Sequence, residues 1–290
     1  MKNNSLIAVT WFILSLVISV CNDALTKTLN SSLSPSTIAF WRFIFSTIIL
    51  LPIIIKFGLS SIKTSKMPFH MLRGLILSTA ISLWCYGISF VPIATVTLMS
   101  FTVPMFTVLM AGMFLREKIT FYTITATCIG FTGSIIALAP HNLIFPITSG
   151  IFILASILFA TLDILNKMLL NQGENTLPMM FYSNVFSAIF VILLPNSMND
   201  IFSINLIEFG LLMILGLGAN LILFCIIKAF AHASASFLAP IRYLELLISA
   251  LIGFIFFHEK VSYNIVMGGV LVILSSILIT KKTIVAVTNE

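Results

Sequence analysis

The chain has 290 residues, of which 59% are hydrophobic and 8% are charged. Soluble domains carry about a quarter of charged residues, and the mean hydropathy here is +1.15. These values exclude a water-soluble globular enzyme, a disordered chain and a nucleic-acid binder of the usual kind. Lipid is therefore the expected solvent, and ten helices of about 20 residues would fill most of the length.

Ten apolar stretches, each bounded by turn or charged residues, predict ten membrane-spanning helices. The first stretch is interpreted as a retained helix, because no small-x-small cleavage motif follows the run from Leu6 to Val20. The predicted spans are 6–28, 36–57, 69–90, 93–115, 120–138, 145–169, 177–195, 206–230, 233–257 and 262–280.

The basic residues between these spans explain the net charge of +6. Eight of them fall on the side that holds both termini, and Lys260 falls on the other side. The positive-inside rule then predicts that both termini are cytoplasmic. The eight residues are Lys2, Lys56, Lys63, Lys66, Arg116, Lys118, Lys281 and Lys282.

The two halves of the chain repeat each other at a nearly constant offset of 140 to 142 residues. An odd number of helices in each copy places the second copy upside down relative to the first. The predicted fold is an all-α membrane protein of ten transmembrane helices, arranged as two inverted five-helix repeats at 5–140 and 145–282. The matching segments are Asp23-x-x-x-Lys27 with Asp163-x-x-x-Lys167, Phe40-Trp41 with Phe181-Tyr182, and Arg116-Glu117-Lys118 with His258-Glu259-Lys260.

Nine charged residues fall inside the predicted spans. Nine unpaired charges would cost about 20–30 kcal/mol on insertion scales, so most of them must be paired, near an interface or facing a watery cavity. Spacings of three or four residues allow local pairs, and the same residues could instead bind substrate or form opposed gates. The nine are Asp23, Lys27, Arg42, Arg73, Asp163, Lys167, Lys228, Arg242 and Glu245.

Three of the basic residues have no acidic partner at helical spacing. Arg73 and Lys228 lie near the predicted cytoplasmic boundary and are expected to anchor the helices by snorkelling to headgroups. Arg42 lies about two turns into the second helix, so it needs a partner from another helix or an anionic ligand group. The sequence leaves both possibilities open.

A polar cavity is predicted near Glu245, the acidic residue closest to the centre of its span. Helix-breaking prolines in corresponding helices of two repeats, here Pro104 and Pro240, are typical of a binding site. Aromatic side chains near the charged residues could stack a flat ring or hold a cation. The aromatic candidates are Trp41, Trp84, Tyr86 and Tyr243.

Motifs of enzymes and cofactor sites are missing from the sequence. It has no Walker loop, no Gly-x-Ser-x-Gly and no His-Glu-x-x-His. No cofactor or metal is expected, and uphill transport would draw on an ion gradient or on exchange. The four cysteines, which have no paired spacing, are expected to be buried thiols: Cys21, Cys85, Cys128 and Cys225.

Ten helices in two inverted halves, with Pro104 and with Glu117 and Glu259 that close the fourth and ninth helices, resemble the EamA family of the drug/metabolite transporter superfamily. Several segments are more similar to the S-adenosylmethionine uptake transporters of obligate intracellular bacteria. These are Trp11-Phe12, Asn22-Asp23 with Lys27, Phe43-Ile44-Phe45-Ser46, Leu72-Arg73-Gly74, Phe101-Thr102-Val103-Pro104, Leu162-Asp163-Ile164, Asn166-Lys167 and Arg242-Tyr243-Leu244-Glu245-Leu246.

This resemblance implies import of S-adenosylmethionine across a bacterial inner membrane by alternating access, in some relatives in exchange for S-adenosylhomocysteine. It implies that Glu245 or Asp23 faces the cationic end of the ligand and that Arg42 or Arg242 takes its carboxylate. Trp41, Trp84 or Tyr243 would stack the adenine. The partners expected are this small molecule and membrane lipid, with no nucleic acid; the oligomeric state is left open.

Two alternatives remain. The first is an EamA-type exporter of amino acids, drugs or other small metabolites, which would share the fold. The second is a membrane enzyme or a lipid scramblase, for which the chain shows no catalytic constellation. One observation opposes a cationic substrate, because six basic and three acidic residues lie within the spans.

Overall fold

The computed structural model describes residues 2–88, 100–138, 150–193, 201, 204–257 and 263–288, and in these ranges the chain is entirely helical apart from turns and connections. The first half contains α1 Lys2–Leu29, α2 Pro35–Phe57, a 3-10 turn Leu59–Ile62, α3 Met67–Ile88, α4 Val103–Phe114 and α5 Phe121–Leu138. The second half contains α6 Gly150–Asn171, α7 Thr176–Ile192, α8 Leu206–His232 and α10 Tyr263–Thr288.

The helix between α8 and α10 is broken, and its parts together form α9. These are a single turn Ala235–Leu238, a 3-10 segment Ala239–Leu244 and an α-helix Glu245–Phe257. Pro240 stands in the 3-10 segment, where its missing N–H interrupts the regular bonding pattern. Pro104 lies in the first turn of α4, a position that proline tolerates well.

The ten-helix prediction is confirmed in this part of the chain. Seven helices are long and apolar enough to cross a membrane, namely α1, α2, α5, α6, α8, α9 and α10, and α4 and α7 are shorter apolar helices. The protein is therefore a multi-pass membrane protein. The predicted segment His258-Glu259-Lys260 and parts of the third, fourth, sixth, seventh and tenth predicted spans lie outside the described residues.

The two halves are interleaved rather than side by side. Helix α1 packs along α8, and the equivalent pair in the other half, α6 with α3, is also in extensive contact. The same correspondence relates α2 with α8 to α7 with α3. Helix α5 packs along its own counterpart α10 more extensively than on any neighbour in its half. This exchange of contacts is what a pseudo-two-fold axis between the repeats produces.

Polar side chains lock the interface between the halves. Asn22 Nδ2 donates to the Leu215 carbonyl at 3.2 Å, and Asn220 Nδ2 donates to the Ser46 carbonyl at 2.7 Å. Asn184 Nδ2 in turn donates to Asn220 Oδ1 at 2.8 Å. Because lipid offers no competing hydrogen bonds, such side chains join helices within the bilayer. Helices α1, α2, α7 and α8 are thereby held together through buried bonds.

One residue contradicts the anchoring expectation. Arg73 is 1% exposed, and its Nη1 donates to the Met179 carbonyl at 3.1 Å. His70, one turn earlier, lies 3.6 Å from Glu174 of the α6–α7 connection. The prediction that Arg73 snorkels to headgroups is wrong, because α7 and this connection cover it. Lys228 remains partly accessible, with its ammonium 5.5 Å from the Phe224 ring centroid.

Helices α5 and α10 touch at their backbones. A Cβ atom added at Gly268 would lie 2.6 Å from the Ala137 backbone nitrogen, and one at Gly133 would lie 2.7 Å from the Gly268 carbonyl oxygen. Ser275 Oγ donates to the Ala126 carbonyl at 2.6 Å across the same pair. Small residues are required at this crossing, as in other closely packed membrane helices.

We expect Gly268→Ala to lower the melting temperature of the purified protein, because the added methyl group has no room. Overpacking of this kind costs typically about 1–3 kcal/mol. Gly210→Ala on α8 is the matched control, since nothing lies within 4 Å of the added atom. Equal melting temperatures for the two variants would contradict the close contact between α5 and α10.

Candidate functional site

A pair of carboxylates lies where α1 meets α9. The Glu245 side chain is hydrogen-bonded to the Ser19 hydroxyl of α1. Ser19 and Asp23 are four residues apart, so they occupy the same helix face about 6 Å apart along the axis. Glu245 and Asp23 accordingly act on each other electrostatically. Two acidic groups from different halves are thus brought close enough to interact.

Arg42 of α2 approaches one of these carboxylates, that of Asp23. Its charge interacts with Asp23, and the Cys85 thiol of α3 is its other close titratable neighbour. The Arg42 Nε atom is buried and has no hydrogen-bond partner in the described part of the chain. A buried guanidinium donor without a protein acceptor is suited to an anionic ligand group.

Arg242 of α9 forms an ion pair with Asp163 of α6. The Arg242 Nη2 and Asp163 Oδ2 atoms are 2.9 Å apart. Thr107 Oγ1 of α4 donates to the same oxygen at 3.5 Å, and the Arg242 guanidinium lies 5.8 Å from the Phe12 ring centroid. This pair joins two helices of the second half, and Thr107 and Phe12 contact it from the first half.

The local pairing predicted for Asp163 with Lys167 is therefore replaced by a pairing between helices. Lys167 Nζ instead donates to the carbonyls of Phe230 at 2.6 Å and Ala233 at 2.8 Å. These carbonyls end α8, where a lysine is favoured because the final carbonyls lack helical partners. The ion pair that spacing allowed between Arg242 and Glu245 is likewise replaced, because Arg242 contacts Asp163 instead.

We use the name charged row for five residues: Asp163, Arg242, Glu245, Asp23 and Arg42. Asp23 is accessible to solvent, and Arg42, Arg242 and Glu245 are partly accessible. A charged group is disfavoured against hydrocarbon, so we infer that these accessible groups face an internal watery space. The three carboxylates and two guanidinium groups of the row give it a formal net charge of −1.

The row removes the objection raised by the count of six basic residues. Arg73 and Lys167 are bonded to carbonyl groups away from the row, and Lys228 lies over an aromatic ring. Lys27 is exposed and is not among the charges that act on Asp23 in the described structure. Only Arg42 and Arg242 remain beside the three acids, so the site itself is acidic.

The two repeats are in different environments at equivalent positions. Asp163 is 6% exposed and ion-paired, whereas its equivalent Asp23 is accessible. Lys167 is bonded to the corner between α8 and α9, whereas its equivalent Lys27 is exposed. The protein is therefore more closed around the end of α6 than around the end of α1.

Glu117 contributes to this closed end in a way that the sequence did not reveal. Its carboxylate oxygens accept hydrogen bonds from the backbone N–H groups of Ala235 at 3.0 Å and Ser236 at 2.9 Å. An anion is favoured at the N-terminus of a helix, and here it lies at the start of α9. Ser19 and Thr107 were also missed, because a hydroxyl in an apolar run carries no distinguishing signal.

The predicted aromatic residues are not equivalent. Trp84 is half-buried and adjacent to Cys85. Its ring is in edge contact with the Phe159 ring, with 6.0 Å between the centroids, and Phe159 lies one helical turn before Asp163. Trp41 Nε1 donates to the Ile201 carbonyl at 2.8 Å and its ring stacks on Phe45, which directs it away from the row.

The remaining predicted site residues differ in their exposure. Tyr243 is 0% exposed in the core beside Phe101, so in this conformation it cannot stack a ligand. Tyr86 is 54% exposed. Asn166 is buried, and its Oδ1 lacks a hydrogen-bond partner among the residues described. Trp84 is consequently the aromatic candidate best placed beside the row.

Other kinds of site find little support in the described residues. No group of three or more His, Cys, Asp or Glu side chains there is arranged to hold a metal ion. None of the cysteines is in a disulfide, and Cys21 and Cys128 are exposed, contrary to the expectation of buried thiols. A cavity of about 360 Å³ between α1, α9 and α10 is lined almost wholly by apolar side chains and contains no residue of the row.

Comparison with known sequences gives several long matches. The S-adenosylmethionine uptake transporter of Rickettsia bellii is 40% identical over 94% of this chain and 93% of its own length. That of Rickettsia prowazekii is 39% identical over 93% of this chain and 91% of its own. A riboflavin transporter of Brucella anthropi is 28% identical over 84% and 87% of the two chains.

A solved crystal structure superposes on this chain with a TM-score of 0.75, at 13% identity and over 96% of both chains. This likeness supports the fold alone. The sequence model of the EamA-like transporter family matches twice, at residues 6–139 and 147–281. The two matches together cover most of the chain, one in each half of the interleaved bundle. The chain belongs to the EamA-like transporter family.

Proposed function

We propose that this protein imports S-adenosylmethionine across the bacterial inner membrane by alternating access. The observation that carries the proposal is the charged row, which holds two acids and one guanidinium without an ion-pair partner in the described structure, Asp23, Glu245 and Arg42. The names of relatives that are about 40% identical over most of the chain support the same substrate.

The chemistry of the ligand matches the row group by group. S-adenosylmethionine carries a sulfonium, an ammonium, a carboxylate and an adenine. Asp23 and Glu245 take the two cationic groups, because opposite charges attract strongly where water is excluded. Arg42 takes the carboxylate, since Arg242 is already paired with Asp163. The adenine stacks on Trp84, the aromatic side chain best placed beside the row.

The unequal environments of the repeats correspond to one state of a transport cycle. With both termini in the cytoplasm, the ends of α4, α6 and α8 face the cytoplasm, and this end is closed by Glu117, Lys167 and the Asp163–Arg242 pair. The structure then represents an outward-facing conformation. Exchange of environments between Asp23 and Asp163 would open the cytoplasmic side.

Exchange for S-adenosylhomocysteine supplies the driving force in this proposal. The two molecules share the ammonium, the carboxylate and the adenine and differ by one methyl group and the charge on sulfur. A site built around the shared groups accepts both of them. Release of the product of methyl transfer on one side can therefore accompany uptake of the methyl donor on the other.

Uptake of radiolabelled S-adenosylmethionine by bacteria that express the protein tests the proposal. We expect uptake above that of cells with an empty vector, inhibited by excess S-adenosylhomocysteine and unaffected by methionine or riboflavin. Persistence with a protonophore favours exchange. The absence of uptake by protein that is present in the membrane would contradict the proposed substrate.

We expect Glu245→Gln and Arg42→Gln each to reduce S-adenosylmethionine uptake at least tenfold. Each change removes one charged contact, and a tenfold loss corresponds to about 1.4 kcal/mol. The matched control is Glu208→Gln, since Glu208 forms a capping box with Asn205 at the start of α8 and glutamine is accepted there. Normal uptake by Glu245→Gln would remove this residue from the site.

We expect Asp163→Asn and Arg242→Gln to be far more damaging singly than together. Each single change leaves an unpaired charge inside the protein, which costs about 3–5 kcal/mol, whereas the double variant leaves none. The melting temperatures of the two single variants and the double variant measure this coupling. Additive losses in the double variant would show that the pair is not coupled.

A further inference from the structure

The net charge of the row has a consequence for its two expected ligands. We propose that the complex with S-adenosylhomocysteine holds one proton more than the complex with S-adenosylmethionine, and that this proton lies on the Asp23–Glu245 carboxylate pair. The inference rests on the proposed function, because it concerns the same site and the same pair of molecules.

Charge balance provides the first step. The Arg242–Asp163 pair is neutral, so Asp23, Glu245 and Arg42 give the row its net charge of −1. S-adenosylmethionine has a net charge of +1 below about pH 7.5, where its α-amino group is mostly protonated. Its complex with the row is therefore neutral. S-adenosylhomocysteine lacks the sulfonium and has no net charge, so its complex would retain one uncompensated carboxylate.

The position of that carboxylate makes the imbalance expensive. Glu245 is hydrogen-bonded to Ser19, which lies one helical turn before Asp23, and Asp23 interacts with Glu245. Both lie within the bilayer, where an ionised group without a counter-charge is disfavoured. Two neighbouring carboxylates in such a place share a proton and titrate as a unit. Protonation of the pair restores a neutral complex.

The other groups that face the pair cannot take this role. Arg42 of α2 and Arg242 of α9 carry guanidinium groups, which donate hydrogen bonds and have no acceptor for a further proton. Asp163 of α6 is held as the ionised partner of Arg242. The Cys85 thiol of α3 lies beside Arg42, and an ordinary thiol is mostly neutral below about pH 7.5. Lys27 of α1 is exposed, and its ammonium group has no acceptor for a further proton.

A transport cycle with these two complexes conserves charge. One S-adenosylmethionine, with its single positive charge, moves inward. One neutral S-adenosylhomocysteine and one proton move outward in the same cycle. The exchange is then electroneutral, so the membrane potential does no work on it, while the transmembrane pH difference does.

Competition binding to the full-length protein in lipid nanodiscs tests the inference. Unlabelled S-adenosylmethionine and S-adenosylhomocysteine each displace radiolabelled S-adenosylmethionine between about pH 6 and pH 7.5. We expect the ratio of the dissociation constant for S-adenosylhomocysteine to that for S-adenosylmethionine to rise up to about tenfold per pH unit, as a one-proton difference requires. This ratio does not depend on how the empty site is protonated.

Two substitutions locate the proton. Asp23→Asn and Glu245→Gln each make the row neutral, so we expect the ratio to become independent of pH and to shift at least tenfold in favour of S-adenosylhomocysteine. Glu208→Gln, outside the row, keeps the slope of the unmodified protein. If a variant does not fold, the pH dependence of the ratio in the unmodified protein still tests whether the two complexes differ by one proton.

The outcomes separate the two proposals. Binding of S-adenosylmethionine with a ratio that is constant across the pH range overturns the proton inference and leaves the proposed function intact. No binding of S-adenosylmethionine at any pH overturns the proposed function and the inference with it. A slope that persists in both acid variants assigns the proton to another group and overturns the inference.

Discussion

Charges cannot face hydrocarbon, and most of the structure follows from this constraint. Each charged side chain within the bundle has to find a counter-charge, a carbonyl group or an internal watery space. Arg242 meets Asp163, Arg73 meets a carbonyl of α7, and Lys167 meets the last carbonyls of α8. Each of these contacts joins one helix to another. The same groups that make insertion costly therefore hold the helices in register.

Close packing and polar hydrogen bonds hold different regions of the bundle together. Where α5 meets α10, glycines allow the backbones to touch and leave little room for movement. Where α1 and α2 meet α8, asparagine side chains bond to carbonyl groups across the interface. Two members of the charged row, Arg242 and Glu245, lie at the break of α9. A broken helix leaves backbone groups and side chains available where a continuous one would not.

The sequence predicted the ten helices, the duplication and the importance of the intramembrane charges. It did so because apolar length and an offset of 140 residues are properties of the chain itself. It did not predict that Arg242 would pair with Asp163, since spacing along a helix says nothing about a partner 79 positions away. Tertiary packing also decided that Arg73 and Tyr243 are buried. Glu117 was recognised only as the end of a helix, and its contact with α9 depends on how the halves interleave.

Interleaving also bears on the origin of the chain. Each five-helix copy buries its faces mainly on the other copy, as α1 does on α8 and α3 does on α6. A single copy would leave those faces without a protein partner in the bilayer. Before the duplication, the ancestor would have needed a second molecule inserted the other way up. Fusion then fixed the two orientations in one polypeptide and allowed Asp23 and Asp163 to acquire separate surroundings.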